Sequence, residues 1–399
     1  MRIATNWIHQ QSVNAMLNQQ SSLAHTQLQV STGRRILTPA DDPVGAARAV
    51  DLNSFVNANE QYTRNIDFAN SRLANEENAL TAAGDLVARV RELTLQAANG
   101  TQSNESRGAI AKELRQRLQQ MVQIANSRDG NGEYVFAGNA TRTQPFAQTP
   151  AGIVYQGDQG TRAIEIAPGQ TVASNDPGSR VFLDIPGGNG TFQTAAAGTN
   201  TGSVIAGNTS VTSAGAFVPD TYQITFTSPT TYDITGTASG AIASGTFDPA
   251  GTTIAFNGIQ LDLSGIAATG DRFDIAPSAG RSAFSTIEDI ARALEAPVAT
   301  AQDRAAQMNI LNRGLENLDQ VSARMIDTRA SVGGRMNVLD QQASVNDSLG
   351  VQVKATLSGI EDLDYASAVA KLNMQMLGLQ AAQQAYVKVQ GLSLFNYIR

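Results

Sequence analysis

The 399 residues carry 35 acidic and 28 basic side chains, for a formal net charge of −7 at pH 7, and include no cysteine. Without cysteine there can be no disulfide, thiolate nucleophile or Cys-ligated zinc. With only four lysines and no basic block, the chain gives no reason to expect a nucleic-acid or membrane partner, and no apolar stretch approaches the ~18 residues of a membrane span.

From the N-terminus, "MRIATNWIHQQSVNAML" lacks the apolar run and small-residue cleavage site of a secretory signal. His9, Val13, Met16, Gln20, Leu23, Gln27 and Val30 recur in steps of three and four, which predicts a helix with one packing seam. The glutamines sit where a stable isolated coiled coil would carry aliphatic residues. The stretch "STGRRILTPADDPVGAARA" (31–49) then interrupts the helix, because residues before a proline avoid the α region. Asp41 and Asp42 are adjacent carboxylates that point in different directions, a poor acid/base pair. Asp42 before Pro43 instead predicts an N-cap with proline at the first helical position, and Asp41 adds charge near the helix dipole.

The next prolines after Pro43 is passed begin at Pro145, and the intervening sequence reads as helix. Leu52, Phe55, Asn59, Tyr62, Ile66, Ala69, Leu73, Glu76, Leu80, Ala83, Val87, Val90, Thr94 and Ala97 form a long seam. After the Asn-Gly at 99–100, a second helix is predicted over 107–126, with Ile110, Leu114, Leu118 and Met121 inward. "RDGNGEYVFAGNA" (128–140) departs from a calcium loop at its sixth and twelfth positions, so a hairpin near 132–142 is predicted.

Nine of the twelve prolines lie from Pro145 to Pro277, and 23 of the 35 glycines from Gly130 to Gly280. Within this region "GIVYQG", "RAIEIAPG", "TYQITFTSP", "TYDITGT", "GTTIAFNGIQLDL" and "RFDIAP" alternate with period two between turn signals, which predicts a β-rich domain. Residues 191–217 are low in complexity and read as a loop or weak strands. Beyond Pro297, Leu318, Met325, Val332, Leu339, Asn346, Val353 and Ile360 recur every seventh residue. A terminal seam of Tyr365, Val369, Leu372, Met376, Leu379, Gln383 and Tyr386 follows.

The expected fold class is therefore a multidomain α + β protein: a long antiparallel α-helical coiled-coil rod built from both termini, with an inserted β-rich domain. Three domains are expected. Residues 1–43 plus 362–399 form a terminal helical assembly domain, 44–144 plus 281–361 a helical core, and 145–280 the β-rich outer domain. His9 and His25, sixteen residues apart, make no metal pair, and no HExxH, GxSxG or phosphate-binding loop occurs. No enzyme activity and no cofactor are expected.

The segments "QLQVSTGRRILTPADDPVGAARA", "VARVRELTLQAANGT" and "LSGIEDLDYASAVAKLNMQMLGLQAAQQAYVKVQGLSLFNYIR" resemble the flagellin superfamily of bacterial flagellar subunits over about 1–142 and 285–399. "RRILTPADDPVGAA" and the ending "GLSLFNYIR" look like the branch that joins hook to filament. The resemblance matches Ser31, Gly33, Arg35, Asp41, Asp42 and Gly45 to an N-terminal joint, and Ile360, Glu361, Asp362, Asp364 and Tyr365 to a C-terminal one. It implies flagellin, hook-associated protein 1 and copies of the chain in a ring as neighbours. It also implies unfolded export through the flagellar type III apparatus and a cytoplasmic chaperone on the C-terminal helix. Arg89, Arg91, Leu93 and Glu113 are the expected lateral contacts, and in flagellins the patch corresponding to Arg89, Leu93 and Glu113 is read by an innate immune receptor. The competing readings are a filament flagellin and an adhesive, carbohydrate-binding β lobe on a helical mount.

Overall fold

The computed structural model describes residues 5–150, 152–213 and 215–391, so the ending "LSLFNYIR" lies outside the described residues. The protein is α + β, with helices towards both ends of the chain and a β-rich middle. It divides into two compact units. The first takes the chain up to Arg64 and from Gln342 on, and the second is Asn65–Gln341. In chain order the leading helices are α1 (Thr5–Thr32), α2 (Pro43–Ala98) and α3 (Asn104–Ala125). The closing helices are α5 (Ala283–Glu295), α6 (Ala301–Glu361) and α7 (Tyr365–Gly391), and a short α4 (Gly178–Phe182) lies between the two sets. Among the described residues no helix is long and apolar enough to cross a membrane.

Sequence rules place these boundaries. Ser103 caps α3 by accepting from the Ser106 amide at 3.1 Å. At the start of α6 the Asp303 amide bonds the Thr300 hydroxyl at 3.1 Å, while the Asp303 carboxylate accepts the Thr300 amide at 2.9 Å. This reciprocal arrangement satisfies amides that a helix start leaves open. In the second unit, the three-four seam of α2 is buried without a break from Ile66 through Ala97. Leu318, Met325, Val332 and Leu339 of α6 are equally buried. α3 buries Ile110, Leu114, Leu118 and Met121, and α5 packs against it, with Arg115 and Glu295 paired at 2.7 Å.

One seam position is ionisable. Glu76 is fully buried, and neither carboxyl oxygen finds a hydrogen-bond partner. Its neighbour Asp176 is already paired with Arg335, which also donates to Ala173 O at 3.1 Å. Burial, reinforced by the Asp176 charge, pushes the Glu76 pKa well up from its ordinary value, and Arg335 opposes this. Glu76 therefore keeps its proton at pH values where an exposed glutamate has lost it.

The expected hairpin near 132–142 does not form. A single bridge joins Arg128 to Tyr134, and turns occupy the rest of the segment. The Asp129 carboxylate accepts the Asn131 and Glu133 amides at 2.9 and 3.0 Å, and buried Arg72 of α2 pairs with Asp129 at 3.1 Å and Glu133 at 2.7 Å. Phe136 meanwhile packs edge-on against Phe182, which stacks on Phe284. Burial of that ring takes the chain out of a ladder.

The strands are β1 (Phe146–Thr149), β2 (Gly152–Tyr155), β3 (Ala163–Ala167), β4 (Gln170–Ala173), β5 (Ile185–Pro186), β6 (Phe192–Ala196) and β7 (Ile205–Val211). They continue as β8 (Tyr222–Ser228), β9 (Thr231–Gly236), β10 (Gly240–Thr246), β11 (Thr252–Phe256), β12 (Ile259–Ser264), β13 (Arg272–Pro277) and β14 (Gly280–Arg281). A five-stranded sheet runs β10-β9-β8-β13-β6 and a three-stranded one β11-β12-β7. Both contribute to one core, through alternate residues such as Tyr222, Ile224 and Phe226 of β8 and Ile259, Leu261 and Leu263 of β12. The low-complexity stretch thus supplies two strands, β6 and β7. Asn309 and Asn312 of α6 hold β7: the Ala206 amide bonds Asn309 Oδ1 at 2.7 Å, and Asn312 Nδ2 donates to Ala206 O at 2.7 Å.

Candidate functional site

In the first unit the two breaks between helices meet. The Arg35 amide donates to Glu361 O at 2.6 Å, the Leu363 amide donates to Gly33 O at 2.9 Å, and Arg34 and Asp362 form an antiparallel bridge. Arg35 closes the pair from above, with Nη2 2.7 Å from Ile360 O and 3.3 Å from Asp42 Oδ2. Arg34 lies 3.8 Å from Glu361. Gly33 ends α1 with φ +70°, a conformation that costs any residue with a Cβ, and an added Cβ would lie 2.9 Å from the Tyr365 hydroxyl. Ser31 turns its hydroxyl onto Leu28 O at 2.9 Å.

Each following helix is capped by an aspartate. α2 begins at Pro43, and Asp42 Oδ1 accepts the Gly45 amide at 2.8 Å. That bond is the leading cause of the lowered Asp42 pKa. Gly45 has no room for a side chain, since a Cβ would meet Asp42 Oδ2 at 2.5 Å. Asp364 caps α7 through the Ala366 amide at 3.0 Å and the Ser367 hydroxyl at 2.7 Å, and the Ser367 hydroxyl chiefly lowers its pKa. Asp41 has a different task from the dipole charge expected of it. Its Oδ2 accepts the Leu37 and Thr38 amides at 3.0 and 2.8 Å, and His25 Nε2 lies 3.0 Å from its Oδ1. It therefore closes the loop and ties it to α1.

α1 and α7 pack on one another, with His9 edge-on to Tyr386 at 5.9 Å and Gln19 Nε2 donating to Gln375 O at 3.3 Å. Of the residues expected in the α1 seam, Met16, Leu23 and Val30 are half-buried, but Val13, Gln20 and Gln27 are exposed. In their places stand Ser12, Gln19 and Thr26. In α7, Leu372, Leu379 and Tyr386 turn inward, while Tyr365, Val369, Met376 and Gln383 are exposed and Ala368, Gln375 and Ala382 take the seam. This corrects the expected register by one residue at alternate positions. Small side chains let the backbones approach, and a search for large apolar residues passes over them.

The correction leaves apolar residues on the outside. On α1, Trp7, Val13, Leu17 and Leu28 are exposed, and on α7 Val369, Met374, Met376, Leu377 and Val387 are. Both helices are thus apolar beyond the stripe they bury on each other.

In the second unit, Arg89 pairs with Glu92 at 2.7 Å and Glu113 at 3.1 Å, Arg117 reaches Glu113 at 3.3 Å, and Arg91 pairs with Asp319 at 2.8 Å. Leu93 does not belong with them. It is 1% exposed, inside the chain's own core, and cannot serve as a lateral contact, whereas Leu95 is 47% exposed.

Residues 3–141 match the family described as bacterial flagellin N-terminal helical region. The crystal structure of Xanthomonas campestris FlgL is 35% identical, covering 77% of this chain and 99% of that one, with a TM-score of 0.73. The flagellar junction protein FlgL from Legionella pneumophila is 31% identical over 79% of this chain and 100% of its own, with a TM-score of 0.72. Flagellar hook-associated protein 3 of Escherichia coli K12 is 25% identical over 401 residues, 99% of each chain.

Proposed function

The chain belongs to the family of flagellar hook-associated protein 3 (FlgL) and is a flagellin-like junction protein of the bacterial flagellum; from that premise we infer that its terminal helices are the assembly element, and that they complete their packing only against neighbouring subunits. The observation that carries this reading is the exposed apolar face of the α1–α7 pair. Alone, the pair half-buries one stripe, in which Met16, Leu23, Val30, Leu372 and Leu379 alternate with small and polar residues, and this offsets little ordering entropy. Placed among copies of itself, flagellin and hook-associated protein 1, it would bury the outer stripe as well, so that folding and assembly become one event.

On this reading the long helices form an antiparallel coiled-coil rod carrying the inserted β-rich domain, with 1–43 plus 362–399 as the assembly part, 44–144 plus 281–361 as the helical core and 145–280 outermost. The joints at Gly33–Asp42 and Ile360–Asp364 set the direction in which the terminal helices leave the core. Arg89, Arg91 and Glu113 make lateral contacts in a ring. The subunit leaves the cell unfolded through the type III apparatus, with a chaperone on α7 beforehand. The filament-flagellin alternative draws support from matches to part of the chain, the flagellin-type match to residues 3–141 and flagellins 33% identical over 135 residues, whereas the likeness to the Escherichia coli hook-associated protein spans 99% of the chain.

Deleting the gene is expected to leave hooks in place, with no filaments and unassembled flagellin in the medium. Normal filaments in the deletion strain would refute the junction role.

A further inference from the structure

A cleft of about 360 Å³ opens between α6 and the loop joining β6 to β7. Arg313 lines one end of it, half-buried and, among the described residues, without a hydrogen bond or ion pair. The two carboxylates nearest in charge are committed elsewhere: Asp289 pairs with Arg281 at 2.6 Å, and Glu316 takes the Thr209 hydroxyl. Burial, followed by the Arg281 charge, lowers the Arg313 pKa, against the pull of Asp289 and Glu316. An arginine nevertheless stays charged. A desolvated guanidinium with both flanking acids occupied offers a fork for one incoming carboxylate.

The far end of the cleft has the opposite character. Gln302 Nε2 donates to Asn200 O at 2.7 Å, its Oε1 has no hydrogen-bond partner among the described residues, and Asp303 lines the cleft beside it. Several of the loop's own donors are spent, since the Thr201 and Gly202 amides bond Asp271 at 2.8 and 3.1 Å and the Ser203 amide bonds Ile266 O at 2.7 Å. Between the two ends, Ala197, Val204, Ala306 and Ile310 form an apolar wall. From Gln302 to Arg313 is about 16 Å of helix at 1.5 Å per residue. The cleft therefore asks for an elongated ligand with a carboxylate at one end, hydrogen-bond donors at the other and apolar faces between.

We propose that this cleft binds a short acidic saccharide of about two rings, with its carboxylate on the Arg313 guanidinium and its hydroxyls donating to Gln302 and Asp303. A phosphate dianion suits it less, next to Asp303 in a chain of net charge −7. An acidic peptide suits it less too, because the Thr201, Gly202 and Ser203 amides that could meet its carbonyls are already bonded. The volume lies within the range of small-ligand sites.

The test is calorimetric titration of the full chain with a glucuronyl-glucose disaccharide, with the neutral disaccharide cellobiose and a capped Gly-Glu-Gly peptide in parallel. Saturable binding of the acidic disaccharide is expected, at least tenfold weaker for cellobiose and the peptide. It should weaken at least tenfold in Arg313→Gln and in Ala306→Phe, which fills the cleft and keeps the charge, each checked for an unchanged melting temperature. Should one variant fail to fold, the other decides. Absence of saturable binding, equal binding of cellobiose, tighter binding of the peptide, or full affinity in a folded variant would each overturn the proposal.

Discussion

Replacing Val369 and Met376 together by aspartate is expected to leave the purified subunit folded and to abolish its incorporation into flagella. Both side chains are 42% exposed on α7. Exposed substitutions of this kind shift stability by about 0.5 kcal/mol or less. In an assembled flagellum the same positions would meet a neighbour's apolar surface, where an unpaired buried charge costs about 3–5 kcal/mol. Two such charges per subunit, repeated around a ring, would prevent stable docking. Leu372→Asp is the contrasting control: its side chain faces α1 within the chain, so it should loosen the α1–α7 pair itself. Circular dichroism of the purified variants and immunoblots of sheared flagella against culture medium separate the two outcomes. Normal swimming by the double variant would show that the outer stripe is not an assembly surface.

Glu76→Gln is expected to make the protein more stable at neutral and alkaline pH, by about 1–3 kcal/mol, the penalty of a buried group left unsatisfied or charged. The sign follows from linkage. The folded-state pKa of Glu76 is raised well above the ordinary 4.5, so the folded state holds a proton that the unfolded state releases. Stability is then fully present below pH 4.5 and declines as pH climbs from there to the raised value. Glutamine brings an amide donor beside the Asp176 carboxylate and has no proton to lose. Urea unfolding between pH 4 and 9 should therefore show wild type falling away from a flatter Glu76→Gln curve. Parallel curves, or a variant less stable at pH 8, would mean that Glu76 is ionised in the folded chain.

The helical parts of the fold were legible because their signal is repetition. Residues Ile66 to Ala97 and Leu318 to Leu339 keep one period for many turns, and packing rewards that period whatever the neighbours are. The caps were legible for a different reason. Asp42 before Pro43 is local chemistry, and local chemistry needs no knowledge of tertiary contacts. Where position depended on a partner surface, sequence carried less. Ser12, Ala368 and Ala382 win the terminal seam because they let two backbones approach, a property that hydropathy does not mark. Leu93 carries no sign of exposure either way, and only the packing of α2 decides it. The "EYVFAG" segment has strand-like residues, but the Asp129 turn, its Arg72 clamp and burial of Phe136 outweigh that preference. Strand β10, "GAIASGT", escaped notice because alanine, serine and glycine give little alternation to read. The cleft at Arg313 brings a loop near residue 200 to a helix a hundred residues later, so no sequence window contains it.

The most direct measurement is immunogold electron microscopy of intact cells with antibody raised against the β-rich region. A single band of label where hook meets filament is the predicted result. Label along the whole filament, or on the cell body alone, would contradict the junction role.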